Sequence, residues 1–194
     1  MKEYSMELCG VKRTLPFIPI SEEMAFASFV VLGDTELVSA CAPELVAKIG
    51  EVDAIVTAEA KGIALAYEVS KELGHKEFIV ARKSTKSYMK DVVSASVHSI
   101  TTAGEQHLYL DGKDADKIRG KRVCLLDDII STGESLHALE CLMANASAEV
   151  VKKQRSLLRA MLLIEKILYF CRSFRYSKRR ATESTKSSNN CQSF

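Results

Sequence analysis

Residues Val123–Ser135 read VCLLDDIISTGES, and this stretch restricts the possible folds more than any other. An apolar run ends in two adjacent carboxylates, Asp127 and Asp128, followed by Ile129 and Ile130. A short turn, Ser131, Thr132 and Gly133, then opens through Glu134 into a helix beginning near Ser135. A strand, turn and helix at this spacing form an anion cradle. The turn's N–H groups and the positive end of the helix dipole attract a phosphate, the two hydroxyls add donors, and Gly133 lets the backbone come close. Carboxylates beside a phosphate would repel it unless they face hydroxyl groups or Mg²⁺. The pair therefore suits a ligand with phosphate at one end and sugar hydroxyls at the other, the layout of a ribose 5-phosphate. A solvated acidic turn at a strand end is the plainer alternative.

The rest of the chain alternates strand and helix signals. Glu3–Leu8 and Val11–Phe17 are alternating runs around Gly10, compatible with a β-hairpin. Ser21 before EEMAFASFVVLG and Thr35 before ELVSACAPELVAKIG each place a cap residue ahead of acidic first-turn positions. Two helices are predicted there, the second perturbed by Pro43 and stopped by Gly50. DAIVT then reads as a strand, KGIALAYEVSKELG as an amphipathic helix ending at Gly74, and FIVA as a second strand. Strand, helix, strand implies a parallel pair. A polar stretch follows to Gly104, then QHLYL as a strand, a turn rich in Asp and Gly, VCLL as a buried strand, and Ser135–Met143 as a helix. The expected fold is α/β, an open and mainly parallel sheet flanked by helices, with ligands at the carboxyl ends of the strands.

Composition narrows the setting. At 194 residues, 47% of them hydrophobic, one core can bury enough surface to fold without disulfides or metals. No apolar run approaches the roughly 18 residues of a membrane span, and MKEYSMELCG lacks the apolar block of a secretory signal, so a cytoplasmic protein without membrane contact is expected. Cys9, Cys41, Cys124, Cys141, Cys171 and Cys191 form no CxxC pair and read as reduced thiols. His75, His98, His107 and His137 are scattered and read as structural or solvated.

With its four apolar residues, two acids, two apolar residues and small-residue turn, Val123–Ser135 resembles the phosphoribosyl-pyrophosphate (PRPP) loop of the type I phosphoribosyltransferases, closest to adenine phosphoribosyltransferases. Glu134 departs from it, standing where many members have Gly. IVTAEAKG, Ile55–Gly62, resembles the family's pyrophosphate loop, with Glu59, Ala60, Lys61 and Gly62 at the loop itself and Lys61 in the cationic place. In relatives this loop holds a non-proline cis peptide, which would fall here between Glu59 and Ala60. Arg82 and Lys83 resemble the family's VRK step, and two cations there suit pyrophosphate. The resemblance implies that Asp127 and Asp128 orient the ribose hydroxyls and meet Mg²⁺ indirectly, and that residues 127–135 hold the PRPP. Lys61 and Arg82 would act catalytically, balancing the leaving pyrophosphate together with Lys83. Residues 84–104 correspond to a flexible hood loop, with Tyr88 as the side chain expected to pack over the site. Adenine-specific members carry a Glu near the end of that loop. Thr102 stands at its place here, and Glu105 is three residues away. The implied activity is transfer of the phosphoribosyl group from PRPP to adenine, giving AMP and pyrophosphate. Transfer to xanthine or another base, or a non-catalytic PRPP-binding regulator, remains open. Homodimers are usual in the family.

The charge distribution breaks near the C-terminus. Residues 1–151 hold 16 Lys+Arg against 23 Asp+Glu, a net −7, whereas residues 152–194 hold 11 against 2, a net +9. Basic tails often meet nucleic acid, but no RNA-binding signature accompanies this one, and no nucleic-acid partner is expected. Relatives continue past the PRPP helix with a strand and an acidic turn like AAVLAEGDA. Here, joining the third base of each codon to the first two of the next permits AAVLAEGDAADREDIIFLQKLPVF across all 24 junctions from Lys153 to Ser177. The expectation is a phosphoribosyltransferase domain over residues 1–153, with a small N-terminal hood region, and an out-of-frame basic tail over 154–194, disordered at least from 178. The alternative is a genuine amphipathic helix over Ser156–Phe170.

Overall fold

The computed structural model describes residues 3–19, 25–98, 105–127 and 134–152. These fall into two compact units, one with residues 3–7, 12–19 and 25–29, the other with residues 8–11 and those from 30 onward.

In the N-terminal region β1 (Glu3–Leu8), β2 (Val11–Pro19) and β3 (Ala25–Ala27) form a three-stranded sheet in that order. The first two make the hairpin expected around Gly10, with Met6, Leu8, Val11 and Leu15 buried on alternating positions. The helix expected after Ser21 is not formed over the described part of that run. Residues 25–27 are extended and pair antiparallel with β2, Phe17 opposite Ala27. A neighbouring strand offering a ladder outweighs an acidic cap signal in a run rich in Phe and Val. Residues 20–24 lie outside the described residues.

In chain order the larger unit contains α1 (Thr35–Ile49), β4 (Ala54–Ala58), α2 (Ile63–Glu72), β5 (Ile79–Ala81), β6 (Val93–His98), β7 (Glu105–Leu110), α3 (Gly112–Ile118), β8 (Arg122–Leu125), α4 (Glu134–Asn145) and β9 (Glu149–Lys152). Asp34, not Thr35, caps α1, its carboxylate accepting from the Leu37 N–H at 3.1 Å. The helix runs on through Pro43 and stops at Gly50. β5, β4, β8 and β9 lie side by side in that order, all parallel, as the alternating pattern implies. Ile55, Val56, Val123, Cys124 and Leu125 are fully buried, which fits strands covered on both faces and explains their unbroken apolar character. In α4, Ala138, Leu139, Leu142 and Met143 are fully buried against this core.

Two further readings of the sequence need correction. Residues 93–98, expected within a hood loop, form β6 and pair antiparallel with β7, Val93 opposite Leu110 and His98 opposite Glu105. The run VSASVH, with its small polar residues, carries little hydrophobic signal, and only the partner strand makes it β. The Asp- and Gly-rich turn is a helix, α3, because Ala115 and Ile118 on one face reach the core. β9 adds a fourth parallel strand that the sequence reading did not anticipate. Residues 153–194, with the boundary at 153 and the alternative helix over Ser156–Phe170, lie outside the described residues. No described helix is long and apolar enough to cross a membrane.

Candidate active site

Parallel pairing brings the carboxyl ends of β4, β5 and β8 to one edge of the sheet, and each end passes straight into one of the singled-out motifs. Beyond Ala58, the backbone turns through Glu59, Ala60 and Lys61 into α2, whose N-terminus is Gly62. The peptide between Glu59 and Ala60 is cis, where the family resemblance places it. Beyond Ala81 come Arg82 and Lys83, and beyond Leu125 comes Asp127, half-buried.

Close packing holds these ends together. A Cβ on Gly62 would collide with the Thr57 hydroxyl, and it would lie 3.4 Å from the Leu126 carbonyl oxygen and 3.5 Å from the Asp127 Cα. The loop of residues 59–62 therefore lies directly against the strand end that carries Asp127, with only glycine fitting between. The Leu126 N–H donates to the Val56 carbonyl at 2.8 Å, extending the β4–β8 register to the last residue before the carboxylate.

On the other side of β4, the Glu59 carboxylate spans to the end of β5. Oε1 accepts from Arg82 Nη1 at 3.0 Å, Oε2 from the Lys83 backbone N–H at 3.1 Å, and the Glu59 N–H donates to the Ala81 carbonyl at 2.9 Å. The Lys83 N–H, and with it the Arg82 guanidinium, hold the Glu59 carboxyl below the ordinary carboxylate range against the opposing effect of burial. The Glu59 carboxylate, with a further contribution from Tyr88, holds Arg82 still more firmly protonated than usual. Lys61 is exposed at the loop tip. Tyr88, more than half exposed, stands beside the Arg82 side chain.

The segment carrying Tyr88 is anchored at both ends. Arg82 pairs with Tyr109 of β7, N–H to carbonyl in both directions at 2.8 and 2.9 Å. At the other end the Lys90 carbonyl accepts from the Gly112 N–H at 2.9 Å, and the Lys90 N–H donates to the buried Asp111 carboxylate at 3.3 Å. Sequence reasoning singled out neither Asp111 nor the carboxylate of Glu59 as a bridging group, because it read residues 111–118 as a turn and the bridges join distant segments.

Of the expected PRPP-loop residues, the structure describes Asp127, and Glu134 and Ser135 as the first residues of α4. Asp128, Ile129, Ile130, Ser131, Thr132 and Gly133 lie outside the described residues, as does Thr102. Glu105 opens β7. Glu59, Ala60, Lys61, Gly62, Arg82, Lys83 and Asp127 are thus gathered at one sheet edge. Among the described residues no group of three or more His, Cys, Asp or Glu side chains could hold a metal ion by itself.

A parallel sheet that collects two cationic segments and a carboxylate at its carboxyl edge defines the class, an α/β protein with charged loops gathered where open sheets of this kind present their sites. The family model of the phosphoribosyl transferase domain matches residues 37–180, and the chain belongs to that family. Similar proteins include a xanthine phosphoribosyltransferase of Clostridioides difficile, 34% identical over 102 residues, covering 52% of this chain and 53% of the relative. A hypoxanthine/guanine phosphoribosyltransferase of Methanococcus vannielii is 31% identical over 153 residues, covering 76% and 75%. The chain spans about half the length of the first of these. Among solved structures, adenine phosphoribosyltransferase from Thermoanaerobacter pseudethanolicus superposes with a TM-score of 0.58 at 22% identity, over 70% of this chain and 78% of that one. The Saccharomyces cerevisiae adenine enzyme, solved with an imino-altritol bisphosphate and adenine, gives 0.57 at 21% identity, over 70% and 79%. At such identities the likeness is one of fold.

Proposed function

We propose that this chain transfers the 5-phosphoribosyl group of PRPP to a purine base, releasing pyrophosphate and a nucleoside 5′-monophosphate. The observation that carries this reading is the packing of Gly62 against the end of β8, which sets the 59–62 loop beside Asp127. A pyrophosphate on that loop and ribose hydroxyls on Asp127 would then be neighbours, as they are in PRPP. The N-terminus of α2 has no side-chain cap, its Ile63 N–H donates to the Ala60 carbonyl at 3.3 Å, and a helix start of this kind favours an anion at the same place. Residues 127–135 hold the ribose and its 5-phosphate in this reading, and Lys61, Arg82 and Lys83 balance the pyrophosphate. Catalysis is then positioning and electrostatic stabilisation: charge grows on the leaving pyrophosphate while the sugar becomes cationic.

Mg²⁺ fits the residues present. Asp127 offers a hard oxygen donor next to the pyrophosphate loop, so Asp127 and Asp128 are the residues that would hold the ion, indirectly through water. When bound, it supplies further neutralisation of the pyrophosphate charge.

For the base, the relatives above 30% identity act by name on xanthine or on hypoxanthine and guanine, and Thr102 stands where adenine enzymes carry Glu. These two facts favour a 6-oxopurine over the adenine first expected, since the adenine structures support the fold alone. The transferase domain occupies residues 1–153 in this proposal, with an aberrant tail beyond, and the family match running on to residue 180 marks no boundary there.

The test is a transfer assay with labelled PRPP against adenine, guanine, hypoxanthine and xanthine. Exocyclic amino and oxo groups reverse donor and acceptor patterns, so one pattern should win by more than about tenfold. Preference for adenine overturns the oxopurine reading. Asp127→Asn with Asp128→Asn should abolish turnover, because amides lose charge-assisted bonds of about 1.5 to 3 kcal/mol each. PRPP binding without turnover, both by the unaltered chain and by one with the frame restored after Lys153, would indicate a regulator instead.

A further inference from the structure

The family resemblance places Glu59 in the pyrophosphate loop but gives its carboxylate no role of its own. Yet it takes up two donors of the kind a phosphate oxygen needs: a guanidinium N–H of Arg82 at 3.0 Å and the backbone N–H of Lys83 at 3.1 Å. Its own N–H is tied to the Ala81 carbonyl at 2.9 Å, so the side chain projects from a fixed point on the strand end toward both donors. Neither side chain is deeply buried, Glu59 being 24% and Arg82 33% exposed, which leaves room for the pair to part. A carboxylate so placed lowers the free energy of the empty site and must be displaced, or must tolerate a second anion, when pyrophosphate arrives.

We propose that Glu59 is an internal stand-in for pyrophosphate: it occupies Arg82 and the Lys83 N–H in the empty site, weakens the hold on pyrophosphate, and re-forms its bonds as the product leaves. This rests on the functional reading above and deepens it by assigning a role in product release. A lone pair of cations at this edge would bind a polyanion tightly and give it up slowly. An intramolecular carboxylate on the same donors lets turnover proceed without loss of the cations. Arg82 keeps its remaining N–H groups, so the ion pair also aims the guanidinium while the site is empty.

Equilibrium binding of labelled inorganic pyrophosphate to the full 194-residue chain tests this. Glu59→Gln keeps the shape and removes the charge, and should bind pyrophosphate tighter by about tenfold or more, the equivalent of one charge-assisted hydrogen bond returned to the ligand. Glu59→Ala should show the same gain and replaces the Gln variant if that perturbs the loop. Glu59→Asp keeps a charge and should stay near the unaltered chain. In an Arg82→Ala background the gain from Glu59→Gln should largely vanish. Equal or weaker binding by the Gln and Ala variants overturns the inference while leaving the transferase reading in place, as does a gain that persists without Arg82, which would reflect long-range repulsion. Absence of pyrophosphate binding by every chain, the unaltered one included, overturns the transferase reading and the inference with it.

Discussion

Gly62 is the residue on which the geometry of the site turns. A methyl group there would meet the hydroxyl of Thr57, a fully buried side chain on β4 that has no room to retreat. Gly62→Ala should therefore destabilise the chain by about 1 to 3 kcal/mol, the usual size of overpacking in a close-packed interior. It should also move the 59–62 loop off the end of β8 and weaken pyrophosphate binding. Thr57→Ala removes the obstructing oxygen, so the double variant should recover part of the loss, and the two changes should be non-additive in denaturant unfolding. Additive losses would mean that the clash is relieved elsewhere. Glu59 shows a different residue-scale effect, in which charge and not volume sets the outcome. Its depressed titration means that the contact with Arg82 and the Lys83 N–H is present at neutral pH and is lost as pH falls below the ordinary carboxylate range.

At the scale of elements, the segment between β5 and β6 is held as a strap and not left as a free loop. Its first residue bridges to β7 through Tyr109, and its last turn sits on the N-terminus of α3, where a Cβ on Gly112 would lie 2.8 Å from both the Asp91 Cβ and its carbonyl oxygen and 2.9 Å from the Lys90 carbonyl oxygen. Backbone atoms on both sides cannot yield as a side-chain tip can. Gly112→Ala should cost about 1 to 3 kcal/mol and, more tellingly, release the strap. Hydrogen exchange should then accelerate at the residue-112 and Lys90 amides while the amides of β4 and β8 keep their protection. Unchanged protection at residue 112 would show that α3 shifts to accommodate the methyl group and the strap stays seated. Tyr88 rides on this strap beside Arg82, so strap release should also be felt at the cationic edge of the site.

At the scale of the whole molecule, the proposed boundary at 153 turns on residues 154–194, where the alternative reading frame would permit the strand and acidic turn that the family resemblance implies. In their place stand Arg155, Arg159, Arg172 and Arg175 among leucines and aromatics. Lost burial costs about 25 cal/mol per Å² against a native margin of only about 5 to 15 kcal/mol, so a few hundred Å² of uncovered apolar surface is enough to matter. The chain with its present ending should be less soluble and less active than one in which the frame after Lys153 is restored, and the restored chain should unfold more cooperatively. Equal melting and equal turnover by the two would show that the basic segment covers the sheet as well as the relatives' ending does. Coding DNA that does not read AAVLAEGDA or a near variant in the alternative frame would remove the premise itself.

The strands of the central sheet were legible because parallel strands buried on both faces need uninterrupted apolar runs, and AIVT, FIVA and VCLL are such runs flanked by helix signals. The motifs were legible for a related reason. The segments assigned to phosphate in the proposed function, Glu59–Gly62, Arg82–Lys83 and Asp127–Ser135, stand out locally because such a role needs particular residue types at consecutive positions. What the sequence could not show was anything that depends on a distant partner. β3 and β6 become strands only because β2 and β7 lie beside them, and α3 becomes a helix because Ala115 and Ile118 find a core. The approach of Gly62 to Asp127 and the bridge from Glu59 to Arg82 join residues 65 and 23 positions apart in the chain. Such contacts follow from the order β5-β4-β8-β9 and not from either segment's composition, since only the sheet's register brings those strand ends level.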